Sequence, residues 1–233
     1  MYIHYFKLAL RNLRKYTNQT LISVVGLAVG FTCFALATLW IVYEMTYDSF
    51  HKNAKQLYVV YRSAPDEPAG FSRRTHNPLA AYLKATFPEI ADATPLRPAY
   101  RIDKVKVEDE EYLAMYISVD SAFFRMFDVK ILDGSREFMI PDSRKLAITS
   151  GKARQLFGDE YPIGKTVNGS EVICAIVSDM SNHSNYAFDF IRPFGNYITN
   201  TSQNWMTSWG ENTVIELYAG TDVEAFKKKL YEH

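Results

Sequence analysis

The chain has 233 residues, 26 Lys and Arg against 26 Asp and Glu, two cysteines, 15 Phe and 16 Tyr. The absence of a basic surplus argues against a nucleic-acid binder, and an aromatic-rich chain with 22% charged residues is not disordered. Two cysteines, Cys33 and Cys174, form neither a disulfide framework nor a Cys-rich zinc site.

Residues 2 to 15 place Ile3, Phe6, Leu10 and Leu13 at helical spacing, with Lys7, Arg11, Arg14 and Lys15 mostly on the other side. This predicts a basic amphipathic helix that lies along a cytoplasmic leaflet or, more simply, extends the helix that follows. Tyr16 to Tyr43 contains no Asp, Glu, Lys, Arg or His. Within it, Thr20 to Tyr43 gives roughly 36 Å of helix, enough to cross a hydrocarbon core of about 30 Å. A cleavable signal peptide fits less well, because the apolar run continues through Leu39, Trp40, Ile41 and Val42 past the Ala35-Leu36-Ala37 imitation of a cleavage site.

Basic residues precede the span, and Glu44 and Asp48 follow it. Positive charge stays inside, so the N-terminus is expected in the cytoplasm and everything after residue 43 outside it, with Trp40 and Tyr43 at the outer interface and Tyr16 at the inner. The zero net charge then divides into about +4 before the span and about −4 after it. Gly26 and Gly30, four residues apart, form a small-xxx-small pattern that would let another helix pack closely, though glycine is common in such helices without a partner.

Beyond residue 43, short β-rich apolar runs alternate with helical patterns, predicting an α+β domain with a mixed sheet and packed helices on a single N-terminal transmembrane helix. Strands are expected at Leu57–Arg62, Lys104–Val107, Tyr112–Val119, Leu146–Thr149, Val172–Val177 and Thr213–Tyr218. Helices are expected at Pro78–Phe87, Ser121–Phe127, Ser150–Phe157 and Asp222–Tyr231, the last capped by Asp222. Ala64–Ser72 and Ser178–Tyr186 read as loops. The chain divides into a basic segment (1–19), a span (20–43) and an extracytoplasmic domain (44–233).

Catalytic chemistry finds little support. Gly158 to Thr166 imitates a phosphate-binding loop, but five residues separate Gly158 from Gly164 instead of four, and Pro162 lies between them. His4, His51, His76, His183 and His233 are scattered, so no metal, cofactor or catalytic residue is assigned. Asp179, Asn182, His183, Ser184 and Asn185 form one polar loop cluster that turn chemistry explains without catalysis. Asn18, Asn168, Asn182 and Asn200 begin sequons that matter only in a glycosylating pathway.

One set of residues carries a resemblance. Phe6-Lys7-Leu8-Ala9-Leu10-Arg11-Asn12-Leu13-Arg14-Lys15 runs into Leu21 to Gly30, centred on Gly26-Leu27-Ala28-Val29-Gly30. Then come Phe123 to Phe127, Leu132-Asp133-Gly134, Leu146 to Thr149, Ala153 to Gly158, Pro162-Ile163-Gly164-Lys165, and Val172 to Asp179 followed by Asn182 to Asp189. In this order they resemble the MacB/FtsX-type ABC transporter permeases, over the first spanning helix and the MacB-like periplasmic core domain. The loop lacks the proline often found near Ser181, and the family continues into further spanning helices, so a fragment is expected.

The resemblance implies a non-catalytic permease subunit in the bacterial inner membrane. A separate cytoplasmic ABC ATPase would hydrolyse ATP, and the motion would reach the periplasmic domain by mechanotransmission. Membrane lipid and a second permease copy or half would be partners, and the substrate a lipoprotein, peptide or antibiotic. The competing readings are a stand-alone membrane-anchored binding or sensor module, and a tethered hydrolase for which Asp179 and His183 are the only candidates.

Overall fold

The computed structural model describes residues 5, 11, 13–99, 102–181, 183–194, 205 and 209–232. The chain divides into two compact units, Met1–Tyr47 and Asp48–His233. The first is dominated by helix α1 (Thr17–Met45), which has no buried residue and is long and apolar enough to cross a membrane. Arg11, Leu13, Arg14 and Lys15 are helical and exposed, and Tyr16 breaks from helical geometry before α1 begins. Ile3, Phe6, Lys7 and Leu10, the other members of the predicted amphipathic helix, lie outside the described residues.

The second unit is α+β. Its strands in chain order are β1 (Leu57–Val60), β2 (Arg62–Ser63), β3 (Phe71–Ser72), β4 (Thr75–His76), β5 (Ile90–Arg97), β6 (Asp103–Val107), β7 (Glu110–Ala114), β8 (Tyr116–Val119), β9 (Ile131–Gly134), β10 (Lys145–Thr149), β11 (Thr166–Val167), β12 (Glu171–Val177), β13 (Phe190–Pro193) and β14 (Trp209–Leu217). Helices α2 (Leu79–Thr86), α3 (Ser121–Met126), α4 (Ser150–Phe157) and α5 (Val223–Glu232) fall among and after them. Ten of the described strands build one sheet in the order β1-β14-β5-β8-β13-β10-β12-β11, with β4 added on β14 and β9 on β12. It is mixed: β8 with β13 and β10 with β12 are parallel, and the other pairs antiparallel. The parallel β10–β12 pair, with α4 in its crossover, is a βαβ unit.

Strand alternation decides which core each residue joins. Leu146, Ile148, Ile173 and Phe190 pack with Ala153 and Leu156 of α4 and with Val105, Val107 and Ala114 of the separate β6–β7 hairpin. Ala147, Ala175, Val177 and Ile191 face the other way, onto Ala122, Phe123 and Met126 of α3 and Phe138. A third cluster joins α2 to α5 over the end of the sheet, where Phe87 meets Phe226 edge-on at 5.6 Å. The β10–β12 register slips between Leu146 and Ala147, so Cys174 has no partner and both Cys174 and Ala175 fall into the α3 core.

The four predicted helices of this unit are present within a residue or two of the expected limits. The strands differ more. Tyr112–Val119 is two strands, because the chain turns at Met115 from the hairpin into the main sheet. Leu57–Arg62 divides at Tyr61, and the expected Ala64–Ser72 loop closes a short β2–β3 hairpin. The expected Thr213–Tyr218 strand begins earlier, at Trp209, and β4, β9, β11 and the interior strands β5 and β13 were not expected; in β5, Asp92 and Pro95 interrupt the apolar pattern, yet it pairs with β14 over most of its length.

Candidate functional site

In the first unit the predicted residues lie along one helix. Gly26 and Gly30 share a face, and a Cβ built on either meets nothing within 4 Å, so the stripe is open. Near the C-terminal end, Trp40 packs against Tyr43 with ring centroids 6.4 Å apart, and Tyr43 meets Tyr47 edge-on at 5.7 Å. At the other end, Lys15 Nζ stands 5.4 Å from the Tyr16 ring. Lys7 lies outside the described residues. The Thr32 and Thr38 hydroxyls donate to the Ala28 and Phe34 carbonyls at 2.8 and 2.9 Å, so neither presents an unpaired donor to an apolar medium.

The second unit opens with a strap, residues Asp48 to Asn53, tied to three separate elements. Asp48 sits at φ 55°, and its N–H donates to the His183 carbonyl at 3.2 Å. Its carboxylate accepts from the Ser184 hydroxyl, from the Asn185 N–H at 3.3 Å and from Asn185 Nδ2 at 2.8 Å. The Lys52 N–H donates to Asp128 Oδ2 at 3.2 Å, and Asn53 Nδ2 donates to Glu216 Oε1 at 2.7 Å. Burial, the largest influence on Glu216, pushes its carboxyl pKa up even though Asn53 donates to it. Between these ties His51 is 5% exposed, its ring 4.2 Å from Phe50 and 5.1 Å from Phe127, centroid to centroid.

The strap divides the polar loop cluster found in the sequence. Ser184, Asn185 and the His183 carbonyl serve Asp48. Asp179 turns instead to the start of α4, accepting from Ser150 Oγ at 2.5 Å and from the Gly151 N–H at 2.7 Å, while Thr149 caps the same helix. Asn182 lies outside the described residues. Asp179 and His183 therefore do different jobs, and Asp179 is a helix-capping group. Sequence reasoning missed the Asp48 ties because they join residues 136 and 137 positions apart; the only signal was the turn-forming Ser184-Asn185 pair itself.

The imitation phosphate loop is likewise committed inside the protein. The Gly164 N–H donates to the Ile173 carbonyl at 2.8 Å, and Lys165 pairs with Glu160 and lies 4.7 Å from the Phe157 ring. A cavity of about 460 Å³ lies among α2, β5 and α3 and is walled by Ala80, Ala81, Ala93, Pro95 and Phe194. Its charges are paired with one another: Lys84 and Arg125 both hold Asp92, the guanidinium through two bonds of 2.9 and 2.6 Å. Burial alone would raise the Asp92 pKa, but the two cations outweigh it and the net shift is downward. Across the cavity, burial raises the pKa of Asp120, which caps α3 through the Ala122 and Phe123 amides.

The family model described as the MacB-like periplasmic core domain matches residues 20–232. Among solved structures, a domain assigned to a permease protein from Porphyromonas gingivalis superposes with a TM-score of 0.66 at 20% identity, covering 78% of this chain and 84% of that one. The periplasmic region of MacB from Actinobacillus actinomycetemcomitans gives 0.53 at 14% identity, covering 76% and 80%. The extracellular domain of the noncanonic ABC-type transporter YknZ from Gram-positive bacteria gives 0.52 at 15%, covering 72% and 86%. No curated protein matches.

Proposed function

Because the chain belongs to the MacB-like periplasmic core domain family, we propose that it serves as a non-catalytic permease subunit, coupling ATP hydrolysis by a separate cytoplasmic ABC ATPase to work done outside the membrane. The observation that carries this reading is the order of parts: one apolar helix, Thr17–Met45, runs into a unit of MacB-like fold within a single family match. In the proposed topology, residues 1–19 stay at the cytoplasmic face of the bacterial inner membrane, residues 20–43 span it and residues 44–233 lie in the periplasm. Lys7, Arg11, Arg14 and Lys15 hold the inner end by the positive-inside rule. Trp40 and Tyr43 sit at the outer interface, and Gly26 and Gly30 offer a packing face to a neighbouring helix of a second permease copy or half.

The strap supports mechanotransmission in physical terms. The first six residues of the second unit are fixed to a loop, to Asp128 just after α3 and to β14, the strand next to the sheet's edge. A force applied at Asp48 is thus delivered to the sheet and not dissipated in a slack linker. The outer unit would hand on a lipoprotein, peptide or antibiotic. The test is reconstitution of the full chain in lipid with a MacB-type cytoplasmic ABC ATPase from the same organism. The reading requires the two to co-purify and the ATPase turnover to change on association; an ATPase that neither binds nor responds would reject it.

A further inference from the structure

The least explained group of the second unit is His51. It is buried, and neither Nδ1 nor Nε2 makes a well-formed hydrogen bond among the described residues, the Phe127 backbone offering at most a poorly aligned one, although one of the two must carry a proton even when the ring is neutral. A buried donor so poorly satisfied costs stability that Phe or Leu in the same slot would not. Here the ring occupies an aromatic slot between Phe50 and Phe127, the latter edge-on to Tyr186 at 5.4 Å.

Two carboxylates face this slot. On the histidine's own segment, Asp48 Oδ1 lies 4.0 Å from Nε2, too far for a hydrogen bond but close enough to become one with a shift of about 1 Å. From the end of α3 comes Asp128, already engaged by the Lys52 N–H and 3.6 Å from Lys52 Nζ. The Asp48 oxygens are the same atoms that hold Ser184 and Asn185. A protonated His51 and the Ser184–Asn185 turn therefore compete for one carboxylate.

We propose that His51 is a proton-operated release for the strap: protonation of its ring draws Asp48 toward Nε2 and frees the Ser184–Asn185 turn. Burial, the largest influence, lowers the histidine pKa, with Asp48, Asp128 and the Phe127 backbone pulling the other way. The strap is then closed near neutral pH, with the ring neutral, and opens as the medium outside the membrane becomes acid. The sign is fixed by linkage: the closed state binds fewer protons at His51 than the open one, so closure weakens as pH falls below about 6.5, the ordinary histidine value. This inference concerns the second unit alone and holds whichever partner the chain has.

The experiment is hydrogen exchange on the full chain in lipid nanodiscs between about pH 7.5 and pH 5, spanning the histidine range, corrected for intrinsic exchange chemistry and read on peptides covering 48–53 and 183–187. Protection in the wild type should fall by up to about tenfold per pH unit below the onset, the slope of a one-proton linkage. His51→Phe, which fills the slot without a proton, should remove that slope, and Asp48→Asn should be loose at every pH. A slope that survives in His51→Phe, or a flat wild-type profile, overturns the proposal. If His51→Phe does not fold, NMR titration of the wild type decides. Asn185 side-chain amide signals moving with the His51 midpoint support release; a His51 titration that leaves Asn185 unmoved refutes it.

Discussion

Gly134 shows how a single residue can be fixed by a neighbour far away in sequence. It sits at φ 91° on β9, and a Cβ built on it would lie 2.3 Å from the Cys174 carbonyl oxygen and 2.7 Å from the Ala175 Cα. Both are backbone atoms at the bulge of β12, so no rotamer change relieves the clash. Gly134→Ala is expected to destabilise the unit by about 3 kcal/mol or more, combining strain at positive φ with displacement of a central strand. Thermal or urea melts of the variant against wild type would measure it, and a loss under about 1 kcal/mol would mean that the bulge yields easily. The sequence displayed Leu132-Asp133-Gly134 as part of a recognisable order, but nothing in it pointed to Cys174, because a bulge is a property of the pairing and not of either strand.

Among the elements, the helices were the most legible because their signals are local. Asp222 accepts from the Glu224 and Ala225 amides at 3.1 Å, and Asp120 and Thr149 cap α3 and α4 from the positions directly before them. The second cap of α4, Asp179, comes from beyond β12 and could only be seen in three dimensions. It accepts from the Gly151 N–H so closely that a Cβ there would meet Oδ1 at 2.9 Å. Asp179→Ala is expected to cost about 1–2 kcal/mol, the range for a lost helix cap, and to leave any ATPase coupling in the intact complex unchanged at temperatures where the variant is folded. A loss of coupling without loss of stability would return Asp179 to the list of functional residues. Strand β5 was illegible for a related reason. Its burial follows from being flanked by β14 and β8, so Thr94, buried against Asp120, is as much a core position as Leu96. The strap was illegible too, since Asp48 by itself reads only as a charge after a span.

The whole molecule is two units of opposite solvent preference. Large side chains of α1, among them Leu27, Phe31 and Trp40, are more than 60% exposed, whereas the second unit has three buried clusters and its own hydrogen-bonded start at Asp48. A chain beginning at Asp48 should therefore be soluble and melt in one cooperative transition, while the full chain should stay with the membrane fraction after alkaline carbonate extraction. Fractionation and a thermal melt test both halves, and a second unit that aggregates unless α1 is attached would count against the division. The zero net charge of the sequence takes its meaning at this scale. Its basic excess belongs to the short segment before α1, and everything after the span carries 22 basic residues against 26 acidic ones.

The sheet order also sets a timetable. β1, β4 and β5, all in the first half of the chain, each pair with β14, which ends at Leu217. None of the three can find β14 until residues up to Leu217 have emerged from the ribosome and, in the proposed topology, crossed the membrane. Contacts of such long sequence separation form slowly. During that wait Leu57 to Val60 lacks its partner and Ile90 to Pro95 lacks its β14 side, leaving open strand edges of the kind that seek other edges. Biogenesis of this chain should accordingly depend on holding the second unit unfolded through export, with this edge of the sheet closing only after β14 has arrived.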